Sequence, residues 1–424
     1  MRRTLSPSVA LAAVLTALLP LAPLAAQPPP PATNPATSPA PEADRPPGAV
    51  HRVIDEIDVT TVVPALEATF GERFGGYWID EADVMHVGVV DATRRDRSAV
   101  ARIVGRYPRV VTDAVANGYD ALVAASDAVA ATLDRAAGHF AVGVDVARNS
   151  VVVQTEAADP GPTDAAARDA ARRSVAGSQE AGSEAADDIG AAVVVEPAAR
   201  IAIEPATSSR TGFPPFEAGL SILVYVPGVT YGCTTGLMFR NGFGNFGSTA
   251  GHCGPVNSPV VLGGRIADVI RGNGYYSTQT VRGDVGAFSL GVLGWSGRNY
   301  VHTQGAGHRV IVGKLSNTQI ALGLRLCFEG VTSDGNNCGT VVRANQTLCC
   351  DAAGKSFVFS CTSYAGRPGD SGGPVYQPVG TSQARAAGML SSTVTINGAA
   401  LMCFSTAANL EATLGSTIVT YRAS

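Results

Sequence analysis

Three short stretches of the sequence hold side chains that can do chemistry. In Thr249-Ala250-Gly251-His252-Cys253, small residues let the backbone close around an imidazole, and the adjacent cysteine can staple it in place. In Gly369-Asp370-Ser371-Gly372-Gly373-Pro374, a serine is flanked by residues that leave its Oγ and two backbone N–H groups accessible. In Arg282-Gly283-Asp284-Val285-Gly286-Ala287-Phe288, a carboxylate stands at the mouth of an apolar strand, where burial against a histidine keeps it ionised and orients the ring. A serine hydroxyl is a poor nucleophile until a base takes its proton, and a developing oxyanion needs preorganised donors, each contributing about 3 kcal/mol. The chemistry these residue types support together is therefore nucleophilic acyl transfer. A serine between glycines on its own would be only a turn. Asp268, in Arg265-Ile266-Ala267-Asp268, is a rival carboxylate, but its nearness to His252 and its place inside a strand favour a surface role. His86, His139, His302 and His308 read as structural or surface residues. No histidine or carboxylate repeats at a ligand spacing, so neither a metal cluster nor a cofactor is expected.

The elements that must position these groups differ between the two halves of the chain. Beyond Thr211, short Val, Leu, Ile and Phe runs alternate with Gly, Asn and Ser and show almost no helical periodicity. Candidate strands are Leu220–Tyr225, Thr234–Arg240, Asn245–Ser248, Val260–Val269, Gly286–Leu290, Arg309–Val312, Thr340–Ala344, Phe357–Phe359, Gly373–Tyr376, Arg385–Leu390 and Ala400–Ser405. Closely spaced strands of this kind predict paired barrels or a sandwich, and a parallel α/β sheet lacks room for its crossover helices. Between Ile54 and Thr155, short strands alternate with helical stretches. A hairpin is predicted from Gly76–Asp80 and His86–Val90, a helix over Tyr119–Ala137, and a second hairpin from Ala141–Asp145 and Val151–Gln154. Glu156–Ser209, rich in Ala, Glu, Asp, Ser and Pro, reads as a helical arm, with a helix from Asp164 to Asp188, and an exposed linker.

Composition separates the same two halves. Of the 424 residues, 46% are apolar and 16% charged, which rules out disorder along the whole length. Residues 1–210 carry 27 acidic and 18 basic side chains, whereas residues 211–424 carry 8 and 13, and all eight cysteines lie between Cys233 and Cys403. The overall charge of −4 argues against nucleic-acid binding by counterion release. Arg2 and Arg3, the apolar run Val9–Leu24 and the small Ala25 and Ala26 follow the order of a secretory signal peptide, which permits disulfides. No other apolar stretch has the roughly 20 residues of a spanning helix, so the exported product is expected to have no stable membrane association.

The His252 and Ser371 motifs, with Asp284 between them in the chain, resemble those of secreted chymotrypsin-like serine endopeptidases, specifically the bacterial branch of streptogrisins and alpha-lytic protease. The resemblance spans about Phe213–Tyr421. A fainter one covers about Phe74–Thr155, where Phe74-Gly75-Gly76-Tyr77-Trp78-Ile79-Asp80 looks like the hairpin opening of that branch's propeptide. The resemblance implies an all-β catalytic domain of two antiparallel six-stranded barrels, preceded by a small α+β prodomain. The expected order is a signal peptide (1–26), a Pro/Ala-rich spacer (27–53), an α+β propeptide domain (54–155), a helical arm and activation linker (156–212) and a protease domain (213–424).

It further implies that Ser371 is the nucleophile, His252 the general base and then acid, Asp284 the orienting carboxylate, and the N–H groups of Gly369 and Ser371 the oxyanion hole. The chain order His, Asp, Ser differs from the subtilisin and α/β-hydrolase orders. Ser391, Ser392 and Thr393 correspond to one wall of the substrate pocket, and the stretch from Tyr364 and Ala365 to Pro368 to its base. A β-branched Thr393 stands where streptogrisins usually carry glycine, and the absence of an acidic residue from Ser363 to Pro368 implies an uncharged preference before the scissile bond. Asp370 is expected to lie buried behind the nucleophile and to need a cation, with Arg325 and Arg367 available. Eight cysteines allow 105 pairings. The resemblance implies Cys233–Cys253, Cys327–Cys338 and Cys361–Cys403, leaving Cys349 and Cys350 either joined to each other or exchanging with these pairs.

The implied partners are protein or peptide substrates and the chain's own propeptide, acting as folding assistant and inhibitor until a cut between about Pro205 and Gly219 releases a monomeric, extracellular enzyme. Two alternatives use the same scaffold: a catalytically inactive binding protein and a serine esterase. A carbohydrate-binding protein is disfavoured by the lack of an aromatic-rich appended module.

Overall fold

The computed structural model describes residues 57–105, 107, 109–132, 140–156, 193–198, 201–204, 216–263, 265–290, 297–303, 307–333, 337–349, 351 and 354–421. The expected signal peptide and spacer, His139, the helix over 164–188, most of the expected cleavage segment and Cys350 lie outside them.

The N-terminal part begins with helix α1 (Val59–Phe70), capped by Asp58, whose carboxylate accepts from the Thr60 N–H at 3.1 Å. Its apolar face, Val59, Val62, Val63, Leu66 and Phe70, is buried, and the helix stops at Gly71 with φ of 52°. Strands Phe74–Ile79 and Met85–Val90 form the expected hairpin, with Asp83 in the left-handed conformation of the turn. Val110–Val115 then pairs parallel to Met85–Val90, after a crossover through helix α2 (Arg94–Val104). That helix starts with a reciprocal capping box between Thr93 and Asp96. Helix α3 covers Tyr119–Thr132. The second hairpin is Phe140–Asp145 with Ser150–Glu156, its turn containing Asn149 at φ 50°.

The expectation of two antiparallel six-stranded barrels is corrected by the strand pairing. The described strands form four sheets, of three, four, five and fourteen strands. The four-stranded sheet orders Val229–Thr234, Ser221–Val226, Pro259–Leu262 and Arg265–Val269. The five-stranded sheet orders Gly272–Asn273, Gly286–Ser289, Gly244–Thr249, Phe239–Asn241 and Thr417–Ile418. The largest runs from Thr280–Val281 through Ser356–Thr362, Ala399–Thr406, Gln383–Ile396, Pro374–Val379, Arg325–Phe328 and Asn337–Cys349 to Phe140–Asp145, Ser150–Glu156 and Val193–Ala198, and Asn337–Cys349 also pairs antiparallel with Ser356–Thr362. Among the described strands no ladder joins the four- and five-stranded sheets, and the largest sheet carries many strands beyond a set of six. A sheet edge presents unpaired N–H and C=O groups, and strands from the N-terminal half satisfy them. Phe140–Asp145 adds to Asn337–Cys349, and Ile201–Glu204 adds to Gln383–Ile396. Parallel pairs, such as Gly307–Lys314 with Gln383–Ile396, depart from the all-antiparallel expectation as well.

The N-terminal helices and the β-rich region share a core. Leu66, Phe70 and Tyr77 belong to the same buried cluster as Leu324, Phe328, Leu390 and Phe404. The Tyr77 hydroxyl crosses into the β-rich region and donates to the Gln319 carbonyl at 2.7 Å. The ion pair between Asp58 and Arg385, at 3.0 Å, and the 3.5 Å pair between Arg282 and Asp127 are partly or largely exposed and contribute at most about 1 kcal/mol each. Apolar burial, more than the charge contrast between the halves, holds the two together.

Candidate active site

The first sequence motif becomes a single 3₁₀ turn, Gly251–Cys253, immediately after strand Gly244–Thr249. Glycine is required at 251 because a Cβ there would lie 3.0 Å from Asp284 Oδ1 and 2.9 Å from Tyr275 Cβ. Cys253 is bonded to Cys233, which anchors the turn to strand Val229–Thr234. Asn273 braces the same turn: its side-chain NH₂ donates to the carbonyls of Gly251 and Gly254, each at 2.7 Å.

Asp284 lies just before strand Gly286–Ser289 and is fully buried. Its Oδ2 is 2.7 Å from His252 Nδ1, its Oδ1 accepts the His252 backbone N–H at 3.0 Å, and the Ser391 hydroxyl donates to Oδ2. Burial pushes the Asp284 carboxyl upward, but the facing His252 and the hydrogen bonds from His252 and Ser391 outweigh it, so its pKa lies below the ordinary value. A carboxylate at Nδ1 favours the tautomer with its proton there, which leaves the Nε2 lone pair facing outward. That nitrogen is 2.9 Å from Ser371 Oγ. The hydroxyl also lies 3.1 Å from the Ser391 carbonyl, so one residue touches both ends of the arrangement.

The Ser371 loop is locked by backbone contacts. The Thr234 N–H donates to the Ser371 carbonyl at 2.8 Å, and Thr234 Oγ1 to the Gly369 carbonyl at 2.6 Å. Gly372 has φ of 89°, and a Cβ on it would approach the Thr234 carbonyl oxygen to 2.3 Å, so no other residue fits. Asp370 is buried as expected, but the expected cation is not its partner. Its Oδ1 accepts the N–H groups of Thr332 at 3.0 Å and Ser333 at 2.9 Å. Its Oδ2 accepts the Ser333 hydroxyl and, at 2.7 Å, the backbone N–H of Arg367. Four donors aimed at one carboxylate replace a guanidinium.

The residues expected to line the pocket come together. Thr393 Oγ1 donates to the Gly366 carbonyl at 2.9 Å, tying the wall Ser391–Ser392–Thr393 to the stretch after Tyr364 and Ala365. Strand Ile201–Glu204 runs antiparallel along this wall, with Glu204 opposite Thr393 and Ile203 opposite Val394. Tyr364 packs edge-on against Phe328, their ring centroids 5.5 Å apart.

Asp268 is not a surface residue: it is buried, its carboxylate is gripped by Arg271 at 2.6 and 2.7 Å, and it accepts the Ser289 N–H at 3.0 Å. His86 lies between Asp113 at 2.8 Å and Asp80 at 3.3 Å in the N-terminal sheet, stacked on Trp78. His302 and His308 face one another on the hairpin Gly297–Thr303 and Gly307–Lys314. Cys327 is joined to Cys338 and Cys361 to Cys403, and Cys349 is also disulfide-bonded. Sequence reasoning missed Asn273, Tyr275, whose ring stands edge-on to His252 with centroids 6.1 Å apart, and the link from Ser391 to Asp284. The Asn273-Gly274 dipeptide was a usable turn signal for the first. Tyr275 and the Ser391 link rest on long-range contacts with no local pattern.

Residues 47–104 match the family model described as alpha-lytic protease pro N-terminal. Among solved structures, Protease A of Thermobifida fusca is 25% identical over 48% of this chain and 98% of its own, with a TM-score of 0.39. The Nocardiopsis protease NAPase is 23% identical over 48% and 98%, with a TM-score of 0.36. A glutamic-acid-specific serine protease, described as using a histidine triad in substrate binding, is 21% identical over 48% and 100%, with a TM-score of 0.39. Comparison with curated proteins gives no match. No helix among the described residues is long and apolar enough to cross a membrane.

Proposed function

We propose that the chain is the precursor of a secreted serine endopeptidase that works through Ser371, His252 and Asp284. The observation that carries this reading is the continuous hydrogen-bonded line from the buried Asp284 through both ring nitrogens of His252, at 2.7 and 2.9 Å, to Ser371 Oγ. His252 takes the Ser371 proton as Oγ attacks a peptide carbonyl, and Asp284 stabilises the imidazolium that forms. The N–H groups of Gly369 and Ser371 receive the oxyanion, which forms beside a loop already held rigid by Thr234 and Asp370. His252 then protonates the leaving amine and later activates the water that hydrolyses the acyl ester on Ser371.

The N-terminal part acts on this reading as a propeptide that assists folding and blocks the site. Its support is the match over residues 47–104 and the strand Ile201–Glu204 lying along the Thr393 wall. Many non-local strand pairings make unaided folding slow, which suits an intramolecular assistant. A cut between about Pro205 and Gly219 separates the propeptide from the protease domain. The preference before the scissile bond is uncharged, because Tyr364–Pro368 holds no acidic residue and Thr393 spans to Gly366.

The test is cleavage of a peptide library by the purified secreted product, alongside Ser371→Ala and a panel of simple esters. Cleavage after uncharged residues that S371A abolishes is expected. Turnover of esters without peptides would favour an esterase, and no S371A-sensitive turnover of either would favour an inactive binding protein.

A further inference from the structure

We propose that Glu217, His302 and His308 form a binding site for a divalent transition-metal ion, with Zn²⁺ as the best fit. The three residues come from three adjacent strands. His302 and His308 are directly opposed across the antiparallel hairpin Gly297–Thr303 and Gly307–Lys314, and Glu217 lies on Phe216–Ala218, which pairs parallel to Gly297–Thr303. Glu217 Oε2 is 2.7 Å from His308 Nδ1 and 3.9 Å from His302 Nδ1. The imidazole centroids are 5.3 Å apart, and one potential ligand atom from each of the three residues lies within 4.8 Å of the other two. Ligand atoms around a tetrahedral zinc at about 2.0–2.2 Å stand roughly 3.3 Å from one another, so small side-chain rotations bring this set to coordination distance.

The chemistry of the donors selects the class of ion. Two imidazoles and one carboxylate suit Zn²⁺, Co²⁺ or Ni²⁺, whereas Ca²⁺ and Mg²⁺ prefer all-oxygen shells. Glu217 is 7% exposed, and its carboxylate is already desolvated and aimed at His308, while the two rings are 39% and 49% exposed. An ion therefore enters from solvent, meets a preplaced anion, and keeps one position for water. The opposed placement across a hairpin limits the rotamer freedom lost on binding.

The position in the fold gives the ion a structural task. Phe216–Ala218 precedes the four-stranded sheet, and the hairpin pairs through Gly307–Lys314 with the same strand, Gln383–Ile396, that carries Ser391 and Thr393. The two backbones already approach closely: a Cβ on Gly219, which has φ of 95°, would lie 3.0 Å from the His302 carbonyl oxygen. A metal bridging Glu217 to both histidines clips this N-terminal strand of the β-rich region to the hairpin.

The test is calorimetric titration of the full chain with Zn²⁺ alone, repeated with Co²⁺ as a spectroscopic probe. One equivalent is expected to bind the wild type and His252→Ala alike, and to bind H302Q/H308Q at least 100-fold more weakly. At zinc 100-fold above Kd, the wild-type Tm should rise by roughly 3 °C, with no rise in the double variant. If H302Q/H308Q unfolds without metal, Glu217→Gln supplies the same comparison. Equal zinc affinity in wild type and double variant, loss of the site in H252A, or no zinc-dependent rise of the wild-type Tm would overturn the proposal.

Discussion

Replacing Asp370 by asparagine keeps the side chain's shape and exchanges one acceptor oxygen for an NH₂ group. In the native arrangement Oδ1 receives two backbone N–H groups and Oδ2 receives the Ser333 hydroxyl and the Arg367 N–H. If the new NH₂ takes the Oδ1 side, two N–H donors face another donor. If it takes the Oδ2 side, Ser333 can turn its hydroxyl to accept, but the Arg367 N–H is left without a partner. The second orientation is cheaper. It removes one charge-assisted bond outright and weakens the others through loss of charge, for a total of about 2–4 kcal/mol. That corresponds to a Tm lower by on the order of 10 °C. Because Asp370 holds Arg367 and the Thr332–Ser333 turn against the Ser371 loop, a shift of the proposed oxyanion donors by about 1 Å is expected to cost a further factor of about 100 in kcat. The assay is thermal unfolding and steady-state peptide hydrolysis by D370N, with Arg367→Ala and Arg325→Ala as controls. Arg367 contributes its backbone N–H, so R367A should leave Tm within about 2 °C and kcat within a factor of about 2 of wild type. A large loss in R367A or R325A matching that of D370N would show that a guanidinium is the real counterion, and a neutral D370N would refute the reasoning altogether.

Three further outcomes are expected. Asp284→Asn should lower kcat by about 10⁴-fold with little change in KM, because the amide no longer fixes the ring tautomer. Its pKa is depressed in the folded state, so Asp284 contributes stability that is present above its unfolded value near 3.8 and is lost as pH falls through the lower folded value. Tm measured against pH should therefore show wild type and D284N converging in acid, and a constant gap would contradict this. Replacing Cys233 and Cys253 together by serine opens a loop closed over a sequence separation of 20 and should cost about 3 kcal/mol by denaturant unfolding. A cost near zero would mean that the His252 turn is held without the bridge. Thr393→Gly removes the bond to the Gly366 carbonyl and should shift peptide cleavage toward larger residues before the scissile bond, and an unchanged profile would place the pocket elsewhere.

The candidate site was legible where its chemistry is local. His252 and Ser371 sit in turns whose small residues are dictated by close contacts, and those glycines are visible in the chain. Asp284 was legible because it opens an apolar strand. Its partner Ser391 was not, since 107 positions separate them. Asp370 was correctly read as buried, but its partners are backbone groups of Thr332, Ser333 and Arg367, which no side-chain inventory reveals. The same division holds for the fold. Alternation marks strands, but Val260–Val269, read as one strand, is two, broken after Leu262 at Gly263 with its φ of 54°. Helix Ala407–Leu414 was hidden by its brevity, although Thr406 caps it. Two barrels of six strands failed as an expectation because the grouping of strands depends on which distant edges meet: among the described strands no ladder joins the four- and five-stranded sheets, and strands from the N-terminal half extend the largest.

The most direct measurement is intact-mass analysis of the purified protein after reaction with a serine-directed acylating probe, followed by peptide mapping. The account predicts a single adduct on Ser371, absent from Ser371→Ala and greatly slowed in His252→Ala. A wild-type protein that stays unlabelled, or an adduct on any other residue, would contradict it.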